Sequence, residues 1–366
     1  MRRAATRTAF TLVEIVVVMT IIAILMGMLI AGVQSVRSIA YTTDCKNRLR
    51  NFIFALQGFE AAKQTLPGSK AALPGRWSIH VETLPYFEEV TLYSTLVIDA
   101  PLPTVKEVLV PQKAIIIEDS DPLYQVHNRT RETPVPIFNC PADPASIPFG
   151  NNYCPVVTAR GARNAYGEHL VSWLPPDDEV SFPLEGPPSE TFRKQLRPPA
   201  LAEIQDGQAQ TACLVERVKG ILMTDLYTPL NQAIKGGRDS RYLVQGTSIQ
   251  VANDSQVEVC RNGVMDLETG RLSPSADASG AVWLQHTCRW LGCANMMAPP
   301  NTPPCEGQSP GNHASTGSAA ASSYHGDGAN FGFFDANVRF VPSDIDLRVL
   351  HAMGTINGRE LHPWVK

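Results

Sequence analysis

Three groups of residues in this chain have types and spacings that can do chemistry. The first is His325, Asp327 and Asp335, a histidine with two carboxylates inside eleven positions. Imidazole and carboxylate are ordinary metal ligands and ordinary acid–base partners, so a small calcium or zinc site and a proton-transfer group are both conceivable. The structural reading is favoured. Asp335 tops a turn, Asp327 sits between glycines, and His325 is free to hydrogen-bond a backbone group or a carboxylate. No G-x-S-x-G, H-E-x-x-H or phosphate-binding glycine loop occurs in the chain, so the expectation is a protein without enzymatic turnover and without a cofactor.

The second group is the cysteines. There are eight, Cys45, Cys140, Cys154, Cys213, Cys260, Cys288, Cys293 and Cys305. Eight cysteines allow 105 complete pairings, and sequence does not choose among them. Proximity suggests Cys140 with Cys154, and a pair within Cys288, Cys293 and Cys305. Zinc is a rival for the latter cluster, but paired C-x-x-C spacing is missing. Buried thiols are an equal alternative, Cys213 within Thr211-Ala212-Cys213-Leu214-Val215 being the clearest case.

The third is a single acid, Glu14, placed in an apolar run. From Ile15 to Val33 only Thr20 is polar and nothing is charged. At about 1.5 Å per residue the run is roughly 28 Å long, close to the apolar thickness of a bilayer. It exceeds the apolar region of a secretory signal peptide, and Ala31-Gly32-Val33-Gln34 continues into a helical pattern without a cleavage-site break. A plain uncleaved anchor explains the length but not Glu14, since an acid within a spanning helix costs about 2.5–3.5 kcal/mol at its centre. Arg2, Arg3 and Arg7 precede the run and place the N-terminus in the cytoplasm, with the remainder outside.

Ala9-Phe10-Thr11-Leu12-Val13-Glu14, followed by that helix, resembles the cleavage and methylation site of type IV prepilins and type II secretion pseudopilins. The resemblance implies cutting by prepilin peptidase between Ala9 and Phe10 and N-methylation of Phe10. It also implies that Glu14, as fifth mature residue, pairs with the N-terminal amine of a neighbouring subunit. Each charge alone is costly in lipid, and a pair formed on assembly relieves both. Ala9 stands where the family usually has glycine.

These residues need elements to position them. The 366 residues are 44% hydrophobic and 18% charged, a globular composition with ample length for a core beyond the membrane run. Net charge is -4, and loss of the three leader arginines takes it to -7; without a basic stripe, nucleic acid is not a partner. Gln34 to Ala62 lacks proline, and Leu49, Phe52, Ile53, Leu56 and Phe59 recur at helical spacing, with Cys45 one turn before. One helix about 80 Å long is therefore expected, lipid-facing first and amphipathic second. Two helices with a kink near Gly32 are the alternative. Thr65-Leu66-Pro67-Gly68 ends it.

Beyond the helix, Val105 to Ile117 and Thr211 to Val215 read as strands, and Asn301 to Ser323 as a long loop. Asp206-Gly207 reads as a turn and Glu216 as a strand end. Ala329 to Phe334 and Val338 to Val341 flank Asp335-Ala336-Asn337 as a hairpin, with Phe331 and Phe333 on one face. A left-handed turn residue is needed there, and Asn337 is the expected occupant, because Ala336 would lose about 1 kcal/mol or more. Ser343 to Asp346 cap a short helix, Leu347 to Met353.

Successive landmarks in the head resemble a large bacterial pilin-like family with a prepilin leader and a domain of unknown function. They are Cys45-Lys46-Asn47-Arg48-Leu49, Leu66-Pro67-Gly68, Leu84 to Glu88, Phe138 to Pro144, Asn152-Tyr153, Ile204 to Gly207 and Val215-Glu216. That family also carries a histidine, nine residues and Asp-Gly, here His325 to Asp335 followed by Ala336. Residues 88–133 and 218–322 match poorly and read as insertions.

The chain is thus expected to be α+β, with its long N-terminal helix packed on a mostly antiparallel β head, pilin-like. Its divisions are a basic leader 1–9, a transmembrane half 10–33, an amphipathic half 34–63 and an extracytoplasmic head 64–366. The expected function is a pilin- or pseudopilin-like structural protein of the inner membrane, single-pass. Its expected partners are prepilin peptidase, the cytoplasmic membrane and other pilin-like subunits. The alternative is an extracytoplasmic binding ectodomain on an uncleaved anchor.

Overall fold

A computed structural model describes residues 12–68, 77–96, 130, 133–144, 150–157, 199–219, 244–245, 280, 283–284, 292–302, 305–306 and 319–357. Helix α1 runs unbroken over Leu12–Lys63, 52 residues, so the chain does not divide into two helices near Gly32. Its length is about 78 Å at 1.5 Å per residue. Gly27 and Gly32 face open space and do not interrupt the hydrogen-bond ladder. Past Lys63, Gln64 takes the left-handed conformation (φ 58°) and returns its N–H to Glu60 O, closing the C-terminus just before Pro67.

The two halves of α1 meet different surroundings. Leu12 to Ile39 present Val, Ile, Leu and Met side chains to the outside all round. Thr20, the polar residue in that run, donates its hydroxyl to Val17 O and so is satisfied within the helix. Cys45, Leu49, Phe52, Ile53 and Leu56 are buried, which is the one-sided pattern the spacing predicts. Phe59 is half-buried and packs edge-on to Tyr86 at 5.8 Å.

The face that receives them is a four-stranded antiparallel sheet in the order β1-β2-β5-β6. The strands are β1 (Tyr153–Pro155), β2 (Ala212–Glu216), β5 (Gly328–Phe333) and β6 (Val338–Pro342). Between β2 and β5 in sequence lie β3 (Val244–Gln245) and β4 (Cys305–Glu306), a separate parallel pair. All of β2 and β5 is buried, Glu216 and Asn330 included, so both faces of these strands are covered. Helix and sheet approach closely at Gly332, where an added Cβ would stand 2.6 Å from Ile53 Cδ1 and 3.2 Å from Leu49 Cγ. Gln57 Nε2 donates to Phe334 O at 2.7 Å and Arg50 Nε to Ala336 O at 3.2 Å, tying α1 to the end of the hairpin.

Smaller helices complete the core. Helix α2 (Ile79–Thr83) is capped by Ser78, whose hydroxyl accepts from Val81 N, and it continues into a 3-10 turn, Leu84–Phe87. Helix α3 (Val90–Ser94) follows. Phe52 and Phe138 pack edge-on to His80, Phe87 packs edge-on to both of those phenylalanines, and Trp283 adjoins Phe138 at 5.8 Å. Helix α4 (Leu347–Met353) is capped by Asp346, which accepts from Arg348 N at 2.8 Å. The arrangement is α+β, a long N-terminal helix on a small antiparallel sheet. The expected strand at Val105 to Ile117 and most of the two insertions lie outside the described residues.

Candidate functional site

At the N-terminus, Ala9 and Phe10 lie outside the described residues. Glu14 occupies the first turn of α1, on the exposed apolar half. A carboxylate there is favoured by the helix dipole and disfavoured by lipid, so the position is acceptable only near the helix end or beside a cation.

In the head, four potential ligands converge although they are remote in sequence. Cys45 on α1 is disulfide-bonded to Cys140, 95 positions later in the sequence, with S–S 2.10 Å. His325 Nε2 lies 3.2 Å from Cys140 Sγ and 3.1 Å from Glu216 Oε1. The side chains of His325 and Glu216 are only 2% and 3% exposed. One donor atom from each of Cys45, Cys140, Glu216 and His325 falls within 4.8 Å of all the others.

Each member is held by its own element. Cys45 is one turn before Leu49 on the buried face of α1. Glu216 is the last residue of β2, and its Oε2 accepts from Asn330 Nδ2 of β5 at 2.7 Å. His325 precedes β5; its N–H donates to Ser323 Oγ, and its Nδ1 meets Thr42 Oγ1 of α1 at 3.1 Å. Cys140 follows the 3-10 turn Pro136–Phe138, and its N–H donates to Asn152 Oδ1 at 2.8 Å. The same Asn152 donates from Nδ2 to Asp143 Oδ2 and Arg217 O, and Asp143 Oδ2 also accepts from Lys219 N. Burial lowers the Lys219 ammonium pKa, with the Asp143 carboxylate opposing part of that shift. This buried network fixes the Cys140 loop to the strand that carries Glu216.

Several expectations are corrected. Cys140 pairs with Cys45, not with Cys154. The Asn152 bond and the 3-10 turn aim Cys140 at α1, whereas Cys154 is buried in β1 opposite Val215. Cys293 is disulfide-bonded. Cys288 lies outside the described residues, as do the side chain of Cys305 and the identity of Cys293's partner. Cys213 is buried, donates to Gly332 O at 3.3 Å, and is pushed well above the usual thiol range by desolvation.

His325 does not assemble with Asp327 and Asp335. Asp327 Oδ1 accepts from Ser343 Oγ, and Asp335 accepts from Asn337 N and Nδ2 at the hairpin tip. The left-handed turn residue is Ala336 (φ 64°), not Asn337. Asn337 is committed to Asp335 within the turn, and Arg50 of α1 holds the Ala336 carbonyl from outside it, so these bonds together outweigh the cost of the left-handed alanine. Sequence reasoning missed Glu216 and Thr42 as neighbours of His325. The available signal was a carboxylate ending a strand that is otherwise apolar.

An apolar N-terminal helix that continues into a small α+β head, with an acid in its first turn, fits a prepilin-type, pilin-like protein. Residues 5–30 match the prokaryotic N-terminal methylation motif, which implies processing by prepilin peptidase and anchoring in a membrane. Residues 34–348 match the family described as "Protein of unknown function (DUF1559)", and the chain belongs to that family. Neither a curated protein nor a solved structure matches the chain.

Proposed function

We propose that the protein is a structural subunit of the type IV pilin or pseudopilin kind, without catalytic turnover. In this reading prepilin peptidase cuts between Ala9 and Phe10, and Phe10 becomes the methylated N-terminus. The head stands outside the cytoplasmic membrane, as the basic leader directs. The observation that carries the reading is α1 itself. Its apolar half offers side chains all round for lipid or for neighbouring helices, while its second half is built into the head. Glu14 then receives the Phe10 amine of a neighbour, so two charges that are costly in lipid cancel on assembly.

Intact mass of the membrane-extracted protein, from cells with active prepilin peptidase, should show loss of Met1 to Ala9 and gain of one methyl group. Glu14→Ala should insert normally and lose crosslinks between neighbouring α1 helices. A retained leader would overturn the reading in favour of a tethered binding ectodomain. Unchanged crosslinking of the Glu14→Ala protein would refute the pairing.

A further inference from the structure

We propose that the Cys45–Cys140 disulfide, His325 and Glu216 form a redox-gated metal site, which takes a divalent cation of the zinc class when the disulfide is reduced. The ligands would be the two sulfurs, His325 Nε2 and one Glu216 carboxylate oxygen. A set of two thiolates, an imidazole and a carboxylate suits a borderline-soft ion and not calcium or magnesium.

The geometry is close to what such an ion requires. Zinc bonds of about 2.0–2.3 Å place neighbouring tetrahedral donors roughly 3.2–3.8 Å apart. The Nε2–Oε1 and Nε2–Sγ separations are already 3.1 and 3.2 Å. Breaking the S–S bond lets the sulfurs move apart to a third edge, and the other donor pairs already lie within 4.8 Å of one another.

The outer partners suit the ligating tautomer. When Nε2 binds a cation, the imidazole proton sits on Nδ1 and needs an acceptor. Thr42 Oγ1 is 3.1 Å away and directs its own proton to Ser38 O at 3.0 Å, leaving a lone pair for Nδ1. On the carboxylate, Asn330 Nδ2 holds Oε2 and leaves Oε1 facing His325. His325 and Glu216 are nearly dry, so the ligands arrive without competing water.

The chemistry balances with a dithiol donor as reductant. The donor gives two electrons and two protons, the Cys45–Cys140 bond breaks, two thiols form, and the donor closes to its own disulfide. Cation binding then releases both thiol protons to solvent. Oxidation reverses the sequence and expels the ion, because disulfide sulfurs are poor ligands. This inference is independent of whether the protein assembles through Glu14.

The test uses the full chain in detergent, reduced anaerobically by a phosphine that is then removed. Titration with Co²⁺ should give one equivalent bound, with thiolate charge-transfer absorption and the visible bands of a four-coordinate ion; the oxidised protein should give neither. X-ray absorption of the zinc form should count two sulfurs and two lighter ligands. Thr42→Val should weaken binding about 10–100-fold, the usual effect of losing an outer partner. His325→Ala should abolish the four-coordinate spectrum while leaving the disulfide intact before reduction. No uptake by the reduced chain, a shell of three or four sulfurs, or a spectrum unchanged in His325→Ala would each overturn the proposal. Where a reduced variant loses its fold, the sulfur count on the unaltered chain decides.

Discussion

His80 gives the protein an acid limit whose size follows from its surroundings. The ring is fully buried on α2, edge-on to Phe52 at 4.7 Å and to Phe138 at 4.6 Å. Neither ring nitrogen makes a well-formed hydrogen bond among the described residues, and the Tyr153 backbone is only a weak partner. Desolvation pushes its pKa from 6.5 down to about 3, and a backbone group of Tyr153 offsets only part of that. The unfolded chain takes up this proton near pH 6.5 while the native protein refuses it until about pH 3. The stabilisation from keeping the ring neutral is therefore complete above pH 6.5 and is lost as pH falls from 6.5 towards 3. Each pH unit well inside that window is worth about 1.4 kcal/mol, so going from pH 7 to pH 5 should cost about 2 kcal/mol. Urea denaturation of the full-length protein in detergent at the two pH values, with His80→Leu alongside, measures this. The wild type should lose about 2 kcal/mol more than the variant, which carries every other titrating group unchanged. Equal losses in the two proteins would show that the native ring is protonated or hydrated, and the packing argument would fail.

Gly332→Ala should destabilise by about 1–3 kcal/mol in thermal unfolding, since its methyl meets Ile53 and Leu49 in a filled core. Asn152→Ala removes the acceptor of the Cys140 N–H and the donor to Arg217 O. Denaturant unfolding should show a loss of about 2–4 kcal/mol. Ala336→Gly should raise the unfolding midpoint by the equivalent of about 0.5–1 kcal/mol, because glycine takes the left-handed turn without the Cβ clash.

What was legible in the sequence was what rests on local pattern. The 52-residue helix followed from uninterrupted hydropathy and helical spacing, and Cys45, Leu49, Phe52, Ile53 and Leu56 were the face it buried. The hairpin of β5 and β6, strand β2 and the helix Leu347–Met353 came from alternation, a buried apolar run and an Asp cap. The site was not legible. Cys45 and Cys140 are 95 positions apart in the sequence, and their meeting depends on a 3-10 turn and a buried Asn152 that no periodicity encodes. His325 was singled out with carboxylates close to it in sequence, yet the carboxylate it meets ends a strand far upstream. At Ala336 the local rule was sound in its cost but outweighed, because Arg50 holds the turn from outside while Asp335 binds Asn337 within it.

The Cys45–Cys140 bond has a mechanical consequence. It joins α1 to the head at the first buried turn, ahead of Leu49, Phe52, Ile53 and Leu56. A pull along the lipid-facing half of α1 therefore reaches a covalent link before it loads any of the apolar contacts that seat the helix. The head cannot be peeled from its stalk by sliding those side chains out of register one turn at a time. Tension is handed at Cys45 to the loop that Asn152 ties to β2, and the whole sheet bears it together.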